Sequence, residues 1–598
     1  MSTIRQRISR LRAVMQENGV DMYLIETDDF HCSEYTGAYF KCREYISGFT
    51  GSAGTVVVTA DAAGLWTDGR YFIAAAQQLE DTGIRLYKMG QPGVPTVQQY
   101  IVNTIREGQC LGFDGRTVNA RAGRALVRAL EAKGAHVNAK LDLVGEIWED
   151  RPPLSHEPAW ILDKAYAGRS REDKIDLIRR ILKERGRDML VVTALDDIGW
   201  LLNIRGNDIA YTPVVLAYML IGQEMLRLYI NPDVLSEEVR TALESAGVEL
   251  APYDGIYADM GRIPAGTQVI CDGTQVSYAI VCSAAGGVRI CDETDPIQKP
   301  KAIKNRTEIA NIRNAHLKDG IAQTKFMCWL KQNAGKVPMT EISVSEKLEE
   351  LRRQQPDYIE ASFAPISAYG PHAAIVHYEA SPETDIPVEA HGLLLMDTGA
   401  HYLDGTTDVT RTYVMGALTD RERFYFTQVL RGSLHLASAK FRYGCTGYSL
   451  DYTAREPLWQ LGVDYNHGTG HGVGYLLNVH EGPNVIRWRQ LPGRNEGAIM
   501  EPGMVTSDEP GVYFENEFGI RHESLLLCRK AEKNRCGQFM EFETLTLVPY
   551  DLDGVDPSLL TEEERHFLND YHRKVFESLA PFMTADELEW LAHATRRI

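Results

Sequence analysis

Two stretches of the chain, residues 8–25 and 175–192, share a pattern that constrains the fold more than any other feature. The first reads ISRLRAVMQENGVDMYLI and the second reads IDLIRRILKERGRDMLVV, and they align without a gap. In each, apolar residues at helical spacing precede a glycine that would end the helix, and a short apolar strand follows. The shared Gly-x-Asp-Met favours duplication over chance similarity between amphipathic helices. The pattern predicts two related α/β domains.

Two proline-containing stretches predict the domain boundaries. Residues 151–158, RPPLSHEP, cannot continue a helix or a central strand. Residues 294–305, TDPIQKPKAIKN, precede a predicted helix, for which Asn305 and Glu308 form a capping box. A chain of 598 residues is also too long for one hydrophobic core. We therefore expect domains at 1–153, 154–303 and 304–598.

The end of the chain predicts a helical extension of the third domain. Leu568, Tyr571, Val575 and Leu579 lie on one stripe of an amphipathic helix. Such a stripe packs either on the third domain or in a dimer interface, and we expect the first.

Composition excludes several classes of function. The formal net charge is −19 and is spread along the chain, whereas nucleic acids and anionic membranes require a basic face. The N-terminal segment lacks the apolar stretch of a signal peptide, and no run of eighteen apolar residues predicts a membrane span. The ten cysteines are scattered without a CxxC pair, which indicates that most are buried thiols in a reducing compartment. We expect a cytoplasmic protein.

Two motifs of the first domain receive structural explanations. The glycine-rich YISGFTGSAGTVVV at 45–58 lacks the lysine of a phosphate-binding loop and does not open a helix, so we expect a turn between strands. The stretch GLWTDGRYF at 64–72 predicts a hairpin, because Asp68-Gly69 is a strong turn signal.

Three aspartates of the third domain, in DTGAHYLDGTTDVTRT at 397–412, differ in how well structure alone explains them. Asp397 ends an apolar run, where a buried acid is costly unless it is paired or binds a metal. Asp408 follows a turn and precedes another strand-like run. Asp404 stands in Asp-Gly, the preferred centre of a tight hairpin, and needs no further explanation.

The hairpin geometry imposes a condition on these aspartates. A two-residue turn centred on Asp404-Gly405 would place Asp408 opposite His401, roughly 13 Å along the strand from Asp397. Two carboxylates so far apart cannot share a pair of metal ions. We therefore expect a bulge or a wider loop, using Gly399. A regular two-residue turn without either would contradict the assignment of both ligands.

Further candidate ligands follow in turn-like settings. His467 and His471 are separated by Gly-Thr-Gly, so they do not form the helical HExxH of zinc proteases. Glu509 precedes Pro-Gly, and Glu523 opens an apolar run. Taken singly, each acid is more often solvated or ion-paired than a metal ligand. Their order along the chain, with Asp397 and Asp408 before them, changes that interpretation.

This order resembles the pita-bread metallopeptidases, and specifically the aminopeptidase P (Xaa-Pro aminopeptidase) family in its long, three-domain cytosolic form. The signature segments read IVHY, MDTGAHYLDGTTDVTRT, HGTGHGVG, SDEPGVY and GIRHESL, with FTGSAG near the N-terminus and ETLTLVP at 543–549. The similarity spans almost the whole chain and departs from the family pattern at no ligand position.

The resemblance implies two similar creatinase-like α/β domains, a pita-bread catalytic domain, two divalent ions (usually Mn²⁺) and a homodimer. Asp397 would chelate one ion, His471 and Glu509 the other, and Asp408 and Glu523 would bridge them. The resemblance further implies roles in substrate binding or catalysis for a second set, namely His377, His467, His480 and Arg521. An oxygen-rich ligand set of this kind suits Mn²⁺. His377 and His480 could instead be satisfied core histidines.

The implied reaction releases the N-terminal residue from peptides with proline at position two. A metal-bridging hydroxide would attack the Xaa-Pro bond, with Glu509 as general base and acid. One alternative is prolidase, which cleaves only dipeptides, although the extra N-terminal domains and ETLTLVP favour the aminopeptidase. Two others are a metal-free peptide-binding module and a creatinase-like hydrolase. Both should have lost ligand positions, and all five are present here.

Overall fold

The computed structural model describes residues 3–491 and 496–598. The chain forms two compact units, one of Met1–Lys164 with Arg169–Gln298 and the other of Ala165–Gly168 with Lys299–Ile598. Within the described residues, the helices are all too short or too polar to cross a membrane.

The first unit begins with a six-stranded sheet and its helices. Its elements are α1 (Ile4–Glu17), β1 (Met22–Ile25), α2 (Cys42–Ser47), β2 (Thr55–Thr59), β3 (Ala63–Thr67), α3 (Phe72–Gln78), β4 (Arg85–Lys88), α4 (Val97–Thr104), β5 (Cys110–Gly112), α5 (Ala120–Glu131), β6 (His136–Asn138) and α6 (Leu143–Ile147). The strand order is β4-β3-β2-β1-β5-β6, in which β2 is antiparallel to both of its neighbours. The other three pairings are parallel.

A second sheet repeats this topology. The elements that follow are β7 (Trp160–Ile161), α7 (Lys164–Ala167), α8 (Arg171–Glu184), β8 (Met189–Val192), α9 (Leu195–Leu202), β9 (Ile204–Arg205), β10 (Ala217–Gly222), β11 (Leu226–Ile230), α10 (Glu237–Ser245), β12 (Glu249–Ala251), α11 (Gly255–Met260), β13 (Gln268–Ile270), α12 (Tyr278–Cys282) and β14 (Arg289–Cys291). The order β12-β11-β10-β8-β13-β14 has the same sequence of antiparallel and parallel pairings. The two predicted helix–strand openings are α1–β1 and α8–β8.

The aspartate shared by the two openings has the same role in both. Asp21 accepts a hydrogen bond from the backbone N–H of Cys110 at 2.8 Å, and Asp188 accepts one from Gln268 at 2.7 Å. Each carboxylate thus joins the start of its central strand to the neighbouring parallel strand. The glycines that end the two helices have φ of +66° and +64°, the left-handed region that favours glycine. The duplicated pattern therefore encodes equivalent local structure.

The second unit contains a helical layer and several short antiparallel sheets. Its elements are α13 (Gln298–Ala302), α14 (Arg306–Asn333), α15 (Glu341–Arg353), β15 (Tyr358–Ala361), β16 (Ile366–Tyr369), β17 (Leu393–Thr398), β18 (Ala400–Tyr402), β19 (Gly405–Thr406), β20 (Val409–Val414), α16 (Asp420–Ala437), β21 (Phe441–Arg442), α17 (Gly447–Trp459), β22 (Gly470–Gly472), β23 (Glu481–Ile486), β24 (Val505–Asp508), β25 (Gly511–Phe514), β26 (Phe518–Arg521), β27 (Ser524–Asn534), β28 (Gly537–Thr544), α18 (Glu562–Leu579) and α19 (Ala585–Ala594). Short 3₁₀ helices occupy Ala38–Phe40, Pro232–Val234, Gly370–Ala374, Leu552–Gly554, Pro557–Leu559 and Ala580–Phe582.

The sheets of the second unit bring distant segments together. The larger sheet has the order β21-β28-β27-β24-β22-β23, and two three-stranded sheets have the orders β16-β17-β20 and β15-β18-β19. Helix α14 begins with the predicted capping box, in which the Asn305 side chain and Glu308 bond each other's backbone N–H.

The C-terminal stripe packs in the core of the second unit, as predicted. Leu568, Tyr571, Val575 and Leu579 of α18 are all buried in one apolar cluster with Phe426 of α16. The helix therefore contributes to the same core as the strands that carry the candidate ligands.

The expected bulge in the 397–412 hairpin is absent, and that prediction was wrong. The hairpin has a two-residue turn, but its centre is Leu403-Asp404, one residue earlier than assumed. One register holds on both sides of a short break at Gly399, and its pairs are Tyr402–Gly405, His401–Thr406, Thr398–Val409 and Asp397–Thr410. A shift of one residue changes every cross-strand pair, so Asp408 lies opposite Gly399 rather than His401.

The cause of the shifted turn lies outside the hairpin. The Asp404 carboxylate contacts helix α14, where Lys318 Nζ approaches its Oδ2 at 2.5 Å and Asn314 Nδ2 donates to the same oxygen at 2.6 Å. These contacts hold Asp404 at the second position of the turn. The distance of roughly 13 Å that argued against a regular turn applied to a turn centred on Asp404-Gly405. With the turn centred on Leu403-Asp404, Asp408 lies opposite Gly399, two residues from Asp397, and the objection no longer applies.

Two predictions for the first domain were wrong in detail. Asp68-Gly69 does not form a hairpin, because β3 leads into α3 and Asp68 instead accepts hydrogen bonds from Arg70. The glycine-rich segment that ends at 54 connects helix α2 to strand β2 rather than two strands.

Candidate metal centre

The observed register makes Asp397 and Asp408 diagonal neighbours on one face of the hairpin. Asp397 is the fifth residue of β17 and pairs with Thr410, while Asp408 immediately precedes β20. Diagonal residues of an antiparallel pair have Cα atoms about 7–8 Å apart, within reach of ligands that share two ions. The hairpin, with its shifted turn and one register on both sides of the break, therefore meets the distance condition without a bulge.

Three more candidate ligands come from the larger sheet and its edges. Single ligand atoms of Asp408, His471 and Glu523 all lie within 4.8 Å of one another. His471 Nε2 lies 3.4 Å from Asp408 Oδ2 and 3.5 Å from Glu509 Oε1. Strand β22 supplies His471, while Glu509 follows β24 and Glu523 precedes β27.

Asp397 is held beside this group by a buried arginine. Arg521 donates to Asp397 Oδ2 from Nη2 at 2.7 Å and from Nε at 3.1 Å. Burial raises the pKa of Asp397 to about 6, although the Arg521 guanidinium opposes the shift; Asp408 and Glu509 add to it. The Asp397 carboxylate is therefore close enough to Asp408 and Glu509 for their charges to raise its pKa.

The remaining ionisable groups also indicate a site that requires cations. Burial raises the pKa of Glu523 well above its usual range, and the charges of Asp408, Asp397 and Glu509 raise it further. Burial lowers the pKa of His471, but the adjacent Asp408 and Glu509 outweigh it and raise the pKa to about 9. Asp397 and Glu523 therefore retain protons at higher pH than ordinary carboxylates, His471 favours its protonated form, and divalent ions would replace these protons.

Two buried carboxylate oxygens fit this interpretation directly. Asp397 Oδ1 and Glu523 Oε1 have no hydrogen-bond partner among the described residues. An unpaired carboxylate oxygen in a protein interior is costly. Metal ligation would satisfy both atoms, so the residues present fit a pair of oxygen-preferring ions.

A hydrogen-bond network connects Asp397 to His467. Arg521 Nη1 donates to Tyr513 Oη at 2.7 Å, and Tyr513 Oη lies 2.8 Å from His467 Nε2. His467 Nδ1 lies 3.9 Å from Glu509 Oε2. The hydrogen bonds therefore run from Asp397 through Arg521 and Tyr513 to His467, whose ring lies near Glu509 without a hydrogen bond to it.

The other two predicted histidines lie on separate segments. The ring of His480 packs edge-on against His471, with 4.3 Å between their centroids. His377 is partly buried in a turn after the 3₁₀ helix Gly370–Ala374, and the carbonyl of the preceding Val376 accepts a hydrogen bond from Arg521 Nη2 at 3.3 Å. His480 thus contacts a candidate ligand, and His377 adjoins the residue that binds Arg521.

The glycines around the histidines permit close backbone packing, as the sequence indicated. A Cβ at Gly470 would lie 1.9 Å from the carbonyl oxygen of Ser507, and one at Gly472 would lie 2.2 Å from that of Glu481. Larger residues would separate β22 from its neighbours. The approach is what brings His471 to Glu509.

Three supporting residues were missed from the sequence. Thr410 Oγ1 donates to Glu523 Oε2 at 2.8 Å, Ser507 Oγ donates to Glu509 Oε1 at 3.1 Å, and Tyr513 joins Arg521 to His467. Thr410 and Ser507 each lie two positions from a ligand, the spacing that places strand neighbours on one face. This spacing could have identified Thr410 and Ser507 from the sequence. The position of Tyr513 could not be identified in this way, because it depends on the pairing between β25 and β26.

Sequence profiles of known families match consecutive parts of the chain. The creatinase/prolidase N-terminal domain matches residues 7–144, and a second profile of that description matches 150–308. Metallopeptidase family M24 matches residues 310–530, and the C-terminal region of peptidase M24 matches 538–598. The matched boundaries follow the same order as the sheets described above.

Individual proteins are similar over the full length. The chain is 39% identical to a probable Xaa-Pro aminopeptidase P of Talaromyces marneffei, over 99% of this chain and 92% of the relative. It is 37% identical to aminopeptidase P2 of Arabidopsis thaliana, over 99% and 88%. The crystal structure of an X-prolyl aminopeptidase from Caenorhabditis elegans, described as a cytosolic enzyme with a di-nuclear active site, superposes with a TM-score of 0.95 at 36% identity, covering 100% of both chains.

Proposed function

The chain belongs to the Xaa-Pro aminopeptidase P family of M24 metallopeptidases, and from this premise we propose that it releases the N-terminal residue from peptides with proline at position two. Its fold comprises two creatinase-like α/β domains followed by a pita-bread catalytic domain, as the sequence predicted. The observation that carries the proposal is the convergence of Asp408, His471 and Glu523, with Asp397 and Glu509 adjoining them.

The proposed centre holds two divalent ions, and we propose manganese for both. Asp397 would bind one ion, His471 and Glu509 the other, and Asp408 and Glu523 both. Four carboxylates and one imidazole form a hard ligand set that suits Mn²⁺. When bound, the ions supply a water of lowered pKa and electrophilic stabilisation of the developing oxyanion. The di-nuclear site described for the Caenorhabditis elegans enzyme supports this stoichiometry.

The protein's own groups are placed to move protons and orient substrate. Glu509 is the proposed general base and acid, and Ser507 Oγ fixes one of its carboxylate oxygens at 3.1 Å. His377 and His480 are proposed to bind the peptide and transfer protons. His467, held by Tyr513 at 2.8 Å, would lie beside the reacting group, and Arg521 orients Asp397.

Proline explains the need for a dedicated site. Its tertiary amide lacks an N–H, and its ring fixes φ near −65°. A general aminopeptidase that binds the N–H of the second residue loses that contact with proline, whereas a site shaped for the ring does not. Specificity for the second residue would therefore reside in the shape of the catalytic domain.

We propose domain boundaries at 1–153, 154–303 and 304–598, a cytoplasmic location and a homodimer. The dimer is supported by an exposed aromatic cluster of the second unit, formed by Tyr452, Trp459 and Trp488. Their exposed fractions range from 37% to 52%, and the ring of Trp459 lies 6.0 Å from Tyr452 and 6.4 Å from Trp488. Clustered exposed aromatic residues are typical of protein interfaces.

Sedimentation tests the dimer. The wild type should sediment as a dimer, and the double variant Tyr452→Asp/Trp459→Asp should sediment as a folded monomer. A monomeric wild type, or a variant that remains dimeric, would contradict the proposed interface.

Substrate length distinguishes this function from prolidase. Manganese-loaded protein should release arginine from Arg-Pro-Pro and act poorly on the dipeptide Arg-Pro. Cleavage of the dipeptide alone would indicate a prolidase. A protein that binds peptide but neither retains manganese nor cleaves would indicate a binding module.

A further inference from the structure

A buried ion pair adjoins the break in the hairpin that carries Asp397 and Asp408. Arg352, in the last turn of α15, donates from Nε to Asp319 Oδ1 at 2.8 Å and from Nη2 to Asp319 Oδ2 at 3.2 Å. The two side chains are only 2% and 4% exposed. Tyr402 Oη also donates to Asp319 Oδ1, at 3.3 Å. Asp319 thereby anchors the guanidinium on helix α14.

The remaining contacts of Arg352 reach the hairpin itself. Its Nη1 donates to the carbonyl oxygen of Gly399 at 3.0 Å, and its Nη2 donates to Thr398 Oγ1 at 3.1 Å. Thr398 Oγ1 also accepts a hydrogen bond from Gln323 Nε2 at 2.9 Å. Thr398 and Gly399 directly follow Asp397, so the guanidinium holds the backbone next to a proposed ligand.

The regular ladder is interrupted at this point. Ala400 N–H donates to Thr407 Oγ1 at 3.0 Å, and the Thr407 carbonyl accepts a hydrogen bond from Ser362 Oγ at 2.8 Å. A Cβ at Gly399 would lie 2.0 Å from Ser362 Oγ. One main-chain hydrogen bond, from Thr407 N–H to the Ala400 carbonyl at 2.8 Å, remains here, and side chains supply further contacts at the break.

The contribution of the Arg352–Asp319 ion pair to folding stability does not by itself explain its presence. A buried ion pair gains little over well-packed apolar residues, because both charges lose their hydration. Arginine, unlike lysine, binds a carboxylate with a planar fork and keeps further N–H groups for other acceptors. Here those N–H groups bind two consecutive residues next to Asp397.

We propose that Arg352, anchored by Asp319, is a positioning residue of the metal centre. It fixes the break at Thr398 and Gly399 so that Asp397 faces Asp408 at the separation two ions require. The inference rests on the proposed function, because it presumes that Asp397 binds one of two ions. Arg521 orients the Asp397 carboxylate, whereas Arg352 fixes the backbone that carries it.

The proposal predicts an effect on one ion rather than both. Asp408, His471 and Glu523 lie within 4.8 Å of one another and have no hydrogen bond to Arg352 among the described residues. They would retain their ion when the break shifts. The ion that depends on Asp397 would be lost, since changes to residues that orient a ligand weaken metal affinity by about 10–100-fold.

Metal content tests this in the purified full-length protein. Manganese bound after gel filtration is measured by inductively coupled plasma mass spectrometry, and affinities are measured by calorimetric titration. Wild type should bind two ions, and Arg352→Lys should bind one with unchanged affinity and the second about 10–100-fold more weakly. Arg431→Lys is the matched control, because Arg431 also forms a partly buried ion pair, with Glu564 at 3.0 Å. The Arg431→Lys protein should bind both manganese ions with wild-type affinity.

Each outcome decides the question. Two ions bound with wild-type affinities in Arg352→Lys would overturn the positioning role and leave the proposed function intact. If wild type itself binds no pair of ions, the proposed function fails instead. Should Arg352→Lys not fold, Thr398→Val decides, because it removes only the hydroxyl that Arg352 and Gln323 bind. About ten-fold weakening of one ion in that variant supports the proposal, and unchanged binding of both overturns it.

Discussion

Three side chains with shifted pKa values characterise the centre at the scale of single residues. Asp397 and Glu523 are buried with raised pKa values, and His471 is drawn toward its protonated form by Asp408 and Glu509. Protons and divalent ions therefore compete for the same group. The competition predicts the direction in which stability changes with pH and the release of protons when metal binds, and both can be measured.

We predict that metal-free protein loses stability as the pH rises. The pKa of Asp397 is raised from 3.8 to about 6, and that of His471 from 6.5 to about 9, so the folded state binds more protons than the unfolded state. The stabilising effect of these protons is present at low pH. It is lost from about pH 4 to 6 for Asp397 and from about pH 6.5 to 9 for His471. Thermal unfolding of chelator-treated protein across this range checks the direction.

We also predict that manganese binding at pH near 7 releases about one proton or more, because His471 must lose its proton to become a ligand. Calorimetric titrations in two buffers of different ionisation enthalpy measure the number released. Equal binding heats in both buffers would contradict the assignment of His471 as a ligand.

At the scale of elements, the approach of β22 to β24 places His471 beside Glu509. The approach depends on Gly470, whose position leaves no room for a Cβ next to the Ser507 carbonyl. Gly468 differs, because the nearest atom to a Cβ there lies 3.5 Å away, at ordinary contact distance. Alanine at Gly470 and alanine at Gly468 therefore provide a test variant and its control within one motif.

We predict that Gly470→Ala costs about 1–3 kcal/mol of unfolding free energy, as overpacking typically does. It should also weaken manganese binding, because β22 moves away from Glu509. Gly468→Ala should change both by far less. Denaturant unfolding and metal titration measure the two effects, and equal behaviour of the variants would contradict this account of the motif.

Local sequence determined some elements and left others to tertiary contacts. The capping box at Asn305 and the glycines that end α1 and α8 depend on neighbouring residues, so the sequence predicted them. The hairpin turn was misplaced by one residue because Asp404 bonds Lys318 on a distant helix. Asp68 failed as a hairpin signal because Arg70 binds its carboxylate.

The candidate site shows the same division between local and distant determinants. The five candidate ligands were identified by their order and residue type, through resemblance to a family. Tyr513 was not identified, since its contacts with Arg521 and His467 join strands and loops that only the fold brings together. Arg352 lies 45 residues before Asp397 in the chain and carries no motif of its own.

At the scale of the whole molecule, helix α18 near the C-terminus supports the catalytic centre through one arginine. Tyr571 of α18 accepts a hydrogen bond from Arg411 Nη2 at 3.0 Å, and Arg411 also donates to the backbone carbonyls of Thr410 and Glu523. The apolar stripe of α18 is buried in the same unit. Helix α18 and the ligand strands therefore form one structural unit.

We predict that Val575→Ala lowers the unfolding free energy by about 1–3 kcal/mol, because it removes two buried methyl groups and leaves a cavity. Glu577→Ala, on the exposed face of the same helix, should change it by less than about 0.5 kcal/mol. Chemical denaturation compares the two, and an equal effect would contradict the packing described for α18.

The central claim is that a metal pair held by Asp397, Asp408, His471, Glu509 and Glu523 cleaves the Xaa-Pro bond. Its most direct test is the release of arginine from Arg-Pro-Pro by the metal-free and manganese-loaded forms of wild type, Asp408→Ala and Asp420→Asn, which changes an exposed aspartate. We predict cleavage by loaded wild type and loaded Asp420→Asn, and none by the metal-free forms. Loaded Asp408→Ala should fall to below about a thousandth of the wild-type rate, because it lacks a proposed bridging ligand. Loaded wild type that leaves the peptide intact, or Asp408→Ala that cleaves it at the wild-type rate, would contradict the claim.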